Sequence, residues 1–516
     1  VRAPLAWRGR LVRLLVGAAD HEATVYVDGR ETTRHVGGHT PFHVDLGDCA
    51  GREVAVAIRC RDPWWLAYPR GKQATEHTPS GCLYERVTGI WQTVWLEPLP
   101  LAGHLQRPRV TPLFDAGAFL IEQGVAGWAP GQRVRAVLSD GRGEVVRAET
   151  VSGGDFTATL LLAIPAERRR NWSPSDPFLY DLAIELISAD GALVDRVTSY
   201  AGLRGVAIHG GRLLINGQPV FQKLVLDQGW YPDGLLTAPS DAALVRDIEL
   251  ARAAGFNGAR LHQKVFEERF LHHCDRLGYL VWGELPDWCG ALGGEASGQR
   301  KGWNARWVRE WQEAIERDYS HPAIIGWTPL NEQHGDVAMQ RHELADVAAA
   351  MYRAAKQLDR TRPVIDMSGW WHCLEETDLS DAHDYEPDPA KLKATWDGLA
   401  VGAPLPLNYD PTGKRNQPWR GQPFFISEFG GIQWSDTGTP GWGYGHAPQT
   451  PEEFFARFAG QCAALRENPK LFGYCYTQLT DVFQEVNGVY RFDRSEKFPA
   501  ARFAAAQAGV AAYERG

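Results

Sequence analysis

Two glutamates close apolar stretches that read as strands. Glu332 follows the run Ala323 to Trp327 through Thr328-Pro329-Leu330-Asn331, and Glu428 ends Phe424-Phe425-Ile426-Ser427. Two carboxyl groups facing each other can break a glycosidic bond. One protonates the leaving oxygen while the other attacks the anomeric carbon through an oxocarbenium-like transition state. A gap of ~5–5.5 Å gives the double displacement that retains configuration. In that scheme Glu332 is the acid/base and Glu428 the nucleophile. Mutual repulsion lets one carboxyl hold its proton while the other stays ionised. A lone Glu at a strand end is more often a salt-bridge or loop residue, and an Asn-Glu dipeptide says little. Joint placement on two strand ends carries the reading.

Other residues near predicted strand ends fit supporting roles. Asn331 is placed to bind the hydroxyl beside the anomeric centre, and Tyr385 to hydrogen-bond the nucleophile. Arg260 and His262 end a strand and would orient Glu428 or the substrate. Asp227, Trp230, Trp282 and Glu284 are candidate sugar contacts; the rival reading puts Asp227 and Glu284 in a buried network with Arg260. His383 and Gln478 complete the candidate substrate-binding set. His383-Asp384-Tyr385 lacks a recognisable ligand set, so neither a metal nor an organic cofactor is expected.

These side chains need a scaffold. Residues 1–98 and 99–204 read as two β-domains. Short apolar stretches such as Thr24–Val27, Val54–Ile58 and Thr157–Leu162 are separated by turn signals, including Asp28-Gly29 and Gly37-Gly38. The second stretch fits an immunoglobulin-like sandwich. From residue 205 strands alternate with amphipathic helices. Ser240 can cap a helix carrying Leu244, Ile248 and Ala251 and closed by Gly255, and a later one carries Trp307, Val308, Trp311 and Ile315. Eight strand candidates follow residue 205: Gln222–Asp227, Phe256–His262, Tyr279–Leu285, Ala323–Asn331, Val364–Gly369, Ala382–Tyr385, Phe424–Glu428 and Leu471–Gln478. That alternation predicts a (β/α)8 barrel over 205–516, whose active site lies at the C-terminal strand ends. Trp434 and Trp442 flank a Gly-rich loop, 438–445, read as a packed loop in preference to a mobile lid.

Composition sets outer limits. With 516 residues the chain exceeds one core, and a formal net charge of −9 gives no footprint for nucleic acid. No apolar run is long enough to span a membrane. Eight cysteines at irregular spacing, with no C-x-x-C pair, favour free thiols and a cytoplasmic, reducing compartment, with a periplasmic or secreted location as the alternative. The expected partner is a carbohydrate substrate; a homo-oligomer is left open.

The sequence resembles glycoside hydrolase family 2 along nearly its whole length. The similar segments are His35–Phe42, Thr88-Gly89-Ile90-Trp91-Gln92-Thr93-Val94-Trp95-Leu96-Glu97, Leu214–Val220, Gly255–His262, Asn331-Glu332 and Ile426–Gly431. The resemblance implies a jelly-roll-like sandwich, an immunoglobulin-like sandwich and a TIM barrel, with Glu332 and Glu428 as the catalytic pair. It also implies a leading sandwich that begins after its first strands. The family's β-glucuronidases hold the sugar carboxylate with an Asn-x-Lys element; the matching stretch here, Asp481–Tyr490, has no such Lys, leaving Arg491 or Lys223 as substitutes. Where many relatives carry Trp at the end of the eighth strand, this chain has Tyr476-Thr477-Gln478. The expectation is a retaining exo-glycosidase for a galactose-like glycone. Alternatives are a β-galactofuranosidase or α-arabinofuranosidase, a β-glucuronidase, a transglycosylase, and a binding protein that has lost catalysis.

Overall fold

The computed structural model describes residues 1–515 except 64–67, 75–77, 152–154, 289–304, 334–339, 370, 404–416, 437 and 439, and the side chains of 340–343. Cys289 therefore lies outside the described residues, as does part of the 438–445 loop.

The first hundred residues form antiparallel sheets. Arg10–Val16 lies between Phe42–Gly47 and Val94–Pro100, and Glu22–Val27 between Arg30–Val36 and Val56–Arg61. Alternation along Arg10–Val16 turns Val12, Leu14 and Val16 into a core shared with Val25 and Val44. The hairpin turn Asp28-Gly29 takes φ of +49° and +78°, the left-handed conformation that Asp and Gly tolerate best in two-residue hairpin loops. A second pair of sheets follows. One holds Arg109–Leu113, Ala118–Ala126 and Thr157–Ala163; the other orders Gly143–Val151, Arg133–Asp140, Tyr180–Ile187 and Leu193–Ala201. Phe119, Ile121, Leu160, Leu182 and Ile184 fill the space between them.

The remainder is built on a parallel sheet of seven strands. The order is Ile324–Thr328, Leu280–Glu284, Gly258–Leu261, Gln222–Asp227, Leu471–Thr477, Phe424–Gly430, Ser380–Asp384. The last strand in sequence thus pairs with the first, Gln222↔Gly473, as a closing barrel requires. The fifth expected strand, Val364–Gly369, is not a continuous strand. It bridges to the fourth at Trp327↔Val364 and Asn331↔Ser368 only. On its other side one backbone bond remains, Asp378 N–H to Val364 O at 3.3 Å, and side chains supply others: Asp366 N–H donates to Thr377 Oγ1 at 3.1 Å and Gly369 N–H to Asp381 Oδ1 at 3.0 Å. Ser240 caps the helix Asp241–Ala253 by accepting from Ala243 N–H, and Leu244, Ile248 and Ala251 are its buried face. Trp307, Trp311 and Ile315 are buried on Ala305–Asp318. Among the described residues no helix is long and apolar enough to cross a membrane.

The first sandwich presses on the barrel. His39 N–H donates to Glu310 Oε1 at 3.0 Å, Thr40 Oγ1 to Glu313 Oε2 at 2.7 Å, and Trp442 Nε1 to Gly81 O at 2.8 Å. Tyr84 and Trp91 from the sandwich pack with Trp230, Leu236 and Val482 from the barrel.

Candidate functional site

The strand ends bring Glu332 and Glu428 together. One oxygen of each, and one ring nitrogen of His383, all lie within 4.8 Å of one another. Both glutamates are nearly buried, at 7% and 4% exposure. Glu332 sits just past its strand at φ +48°, a region few non-glycine residues occupy, pinned by its N–H to Ser368 O at 2.9 Å.

Glu428 is gripped on both oxygens. Arg260 Nη1 donates to Oε1 at 3.0 Å, and the Tyr385 hydroxyl donates to Oε2. Tyr385 is itself fixed by stacking on Tyr444, 3.4 Å between ring centres, and by Thr477 Oγ1 at 3.1 Å. Arg260 is the hub. Its Nε donates to Glu284 Oε2 at 2.7 Å and its Nη2 to Asn331 Oδ1 at 2.5 Å. Charge-assisted bonds of this kind fix geometry as well as energy. Among the described residues they leave Asn331 Nδ2 buried without a partner, a donor beside Glu332.

His383 stands between the carboxylates. Nδ1 is 2.5 Å from Glu332 Oε1 and Nε2 is 3.5 Å from Glu428 Oε1. Ser368 Oγ and Arg260 Nη1 approach Nε2 at 3.1 and 3.3 Å. Burial pushes the Glu332 carboxyl up, but the His383 imidazole, then Lys72 and Arg260, outweigh it and hold it below the ordinary range. Burial likewise works against charge on His383, and Glu428 and Glu332 overcome it, raising its pKa. Both directions favour an imidazolium against a carboxylate over a neutral pair. The same three residues have the donor types for a cation, but Arg260 already brings positive charge to Glu428.

Several expected contacts are corrected. His383 is not a surface for sugar: its side chain is fully buried and both nitrogens face protein groups. Trp282 is core. It is 0% exposed, stacks on Phe425 and Phe472, and donates Nε1 to Gln222 Oε1 at 2.9 Å. Its place on the strand turns it into the barrel interior, toward Gly326. Glu284 belongs to the network with Arg260 and with Gln263 N–H at 3.0 Å. His262 faces Glu284, Nδ1 to Oε1 at 2.9 Å, and burial and then Lys72 push its pKa well down. Asp227 joins neither the pair nor Arg260. It caps its own turn through Gly229 N–H at 2.9 Å, and burial, then Asp247, raise its pKa to about 7. Trp230 is buried against Tyr84 and Phe483. Gln478 is fully engaged with Gln228, Glu485 and Asn487. Lys223 donates to Gln507 O, and Arg491 pairs with Asp436; neither faces the carboxylates. Trp434 packs on Phe454 and Phe498 and Trp442 on Tyr444, as a packed loop would.

Sequence did not single out Lys72 at all, and it marked the stretch Asp481–Tyr490 without naming Glu485 or Asn487 as contacts. Lys72 comes from the first sandwich, and Glu485 and Asn487 from the loop after the eighth strand. Lys72 lies on the Trp288 ring, 5.0 Å from its centre, and Trp288 Nε1 donates to Asn331 O at 3.0 Å.

The comparisons agree with this architecture. Residues 206–391 match the model described as glycosyl hydrolases family 2, TIM barrel domain, and residues 124–204 the model described as glycosyl hydrolases family 2; together they cover just over half of the chain. A beta-glucuronidase of Paenibacillus borealis is 29% identical over 393 residues, 70% of this chain and 61% of that protein. A beta-galactosidase of Thermoanaerobacter pseudethanolicus is 26% identical over 392 residues, 73% of this chain and 49% of that protein. The chain thus spans less than two thirds of the length of these curated relatives. Among solved structures, b-glucuronidase from Ruminococcus gnavus in complex with uronic deoxynojirimycin superposes with a TM-score of 0.77 at 19% identity, over 98% of this chain and 87% of that one. The GH2 beta-galacturonidase from Eisenbergiella tayi bound to galacturonate gives 0.76 at 21% identity, over 98% and 89%. At these identities the superpositions speak for the fold, and the family models for descent: the chain belongs to glycoside hydrolase family 2.

Proposed function

We propose that this protein hydrolyses a terminal, non-reducing, β-linked sugar with retention of configuration, using Glu332 as acid/base and Glu428 as nucleophile. The observation that carries this is the approach of the two carboxylates within 4.8 Å, with Glu428 held by Arg260 and Tyr385. That spacing suits direct attack and leaves no room for an intervening water, as an inverting enzyme needs. Glu428 attacks the anomeric carbon while Glu332 protonates the leaving oxygen. Glu332, now ionised, then takes a proton from water, which displaces Glu428. Asn331 Nδ2 is the donor for the neighbouring sugar hydroxyl, a bond that strengthens in the transition state.

The glycone we infer is neutral and galactose-like. Among the described residues the cationic groups around the pair are Arg260, Lys72 and His383, and His383 is taken up by Glu332 and Glu428 themselves. Arg260 is matched by Glu284 and Glu428, and Lys72 by Glu485. An added uronate would meet excess negative charge. A glucuronide is the second reading, favoured by the beta-glucuronidase named among the relatives. A panel of nitrophenyl glycosides (β-galactopyranoside, β-glucuronide, β-mannoside, β-galactofuranoside and α-arabinofuranoside) decides between them. Release from one member, abolished in Glu428→Ala and largely spared in Glu332→Gln because the leaving group is good, supports the assignment. Full activity in Glu428→Ala, or no release by the wild type from any member, counts against it.

A further inference from the structure

The barrel mouth holds polar atoms that the protein leaves without partners. Among the described residues Asn331 Nδ2 and Asn487 Nδ2 are buried without a partner, and Glu485 Oε1, whose carboxyl lies near the Tyr84 hydroxyl, meets Lys72 Nζ only at the 3.9 Å of an ion pair. The other end of each side chain is anchored. Arg260 holds Asn331 Oδ1 at 2.5 Å, and Gln478 Nε2 donates to Glu485 Oε2 and Asn487 Oδ1, both at 2.8 Å. Buried polar atoms are nearly always paired, so a group of orphans held in place from behind calls for a partner that arrives from outside.

Lys72 completes the group, and it comes from a different domain. Its segment is pressed onto the barrel at Gly71, whose N–H donates to Pro286 O at 3.0 Å. Gly71 takes φ +68°, and a Cβ there would lie 2.2 Å from Gln263 O, so this close approach requires glycine. Lys72 is delivered to Trp288 at 6% exposure. Its Nζ is 3.9 Å from Glu485 Oε1, outside hydrogen-bond reach, and among the described residues none accepts a hydrogen bond from it. Glu485, Glu428 and Glu332 offset its burial and keep it an ammonium.

We propose that Lys72 and Glu485 form a clamp for two neighbouring hydroxyls of the glycone, making Lys72 a specificity-determining residue that the first sandwich lends to the barrel. An ammonium only donates and a carboxylate only accepts, whereas a hydroxyl does both. A pair of adjacent hydroxyls therefore satisfies Lys72 Nζ and Glu485 Oε1 together, with Asn487 Nδ2 as a further donor. A carboxylate in the same place would face Glu485. This rests on the glycosidase reading above.

The test compares the wild type, Lys72→Met and Glu485→Gln on the preferred nitrophenyl glycoside and its monodeoxy analogues, with melting temperatures alongside. Deleting a clamped hydroxyl should lower wild-type kcat/KM by roughly 10- to 100-fold, the range for a hydrogen bond to a charged group. Lys72→Met should lose a similar factor on the parent glycoside and then become indifferent to that hydroxyl, which a structural role alone would not produce. Unchanged discrimination across every analogue in both variants overturns the proposal. If Lys72→Met does not fold, the shape-preserving Glu485→Gln carries the same comparison. If the wild type cleaves nothing, the glycosidase reading fails separately, and free neutral monosaccharides are tested by thermal shift. A shift in the wild type that is lost in the variants supports the clamp, and equal shifts or none overturn it.

Discussion

His383 Nδ1 lies 2.5 Å from Glu332 Oε1, so the residue assigned as acid/base is hydrogen-bonded to an imidazole buried behind it. Burial alone would raise the Glu332 pKa, and His383 is the foremost group that reverses this. Replacing it with Phe removes that partner and lets burial dominate. The Glu332 pKa then rises. Because the acid must be protonated to act, the alkaline limb of the kcat/KM profile should move to higher pH in His383→Phe. An unmoved limb would mean that another group sets it.

Tyr385 donates to Glu428 from the stack with Tyr444. Tyr385→Phe keeps the stack and deletes the hydroxyl. The expected loss in kcat is roughly 10- to 100-fold, with little change in melting temperature. Steady-state kinetics and a thermal melt check this together.

Trp282 separates packing from sugar binding. Its ring is enclosed by Phe425, Phe472 and Gly326. Trp282→Leu should cost about 3 kcal/mol of stability by cavity formation, read by denaturant unfolding. At a temperature where the variant is folded, its KM should match the wild type. A raised KM at unchanged stability would restore Trp282 to the substrate site.

Glu310 gives the domain contact a pH dependence. It is buried under the first sandwich, accepts from His39 N–H, and burial raises its pKa to about 8. The folded protein therefore binds a proton that the unfolded chain, with an ordinary Glu near ~4.3, releases earlier. This contribution favours folding below the unfolded value, is lost as pH rises toward 8, and is level above it. Glu310→Gln keeps the acceptor and removes the titration. Its melting temperature should exceed that of the wild type by a gap that widens from pH 5 to about 8 and then stays constant. A gap independent of pH would contradict this.

Much of the site was legible in sequence because strand ends in a parallel barrel point to one rim. Glu332, Glu428, Asn331, Tyr385 and Arg260 all sit together on that logic. What period and spacing do not reveal is what a strand-end side chain meets, since residues two apart face the same side at different depths. Trp282 and Glu284 lie two residues apart on one strand, yet Trp282 packs in the core while Glu284 holds Arg260. Asp227 satisfies its own turn instead of the substrate. Val364–Gly369 reads as a strand by composition, but side chains supply part of its bonding on one side. Lys72 was invisible because its partners stand hundreds of residues away, across a domain boundary.

The central claim is that Glu428 forms the covalent intermediate. A substrate fluorinated beside the anomeric carbon and carrying a good leaving group slows the second step and lets the glycosyl-enzyme accumulate. Intact mass followed by peptide mapping should find one sugar per chain, on Glu428, with none in Glu428→Ala. A stable adduct on another residue, or turnover with inversion and no adduct, would contradict the assignment.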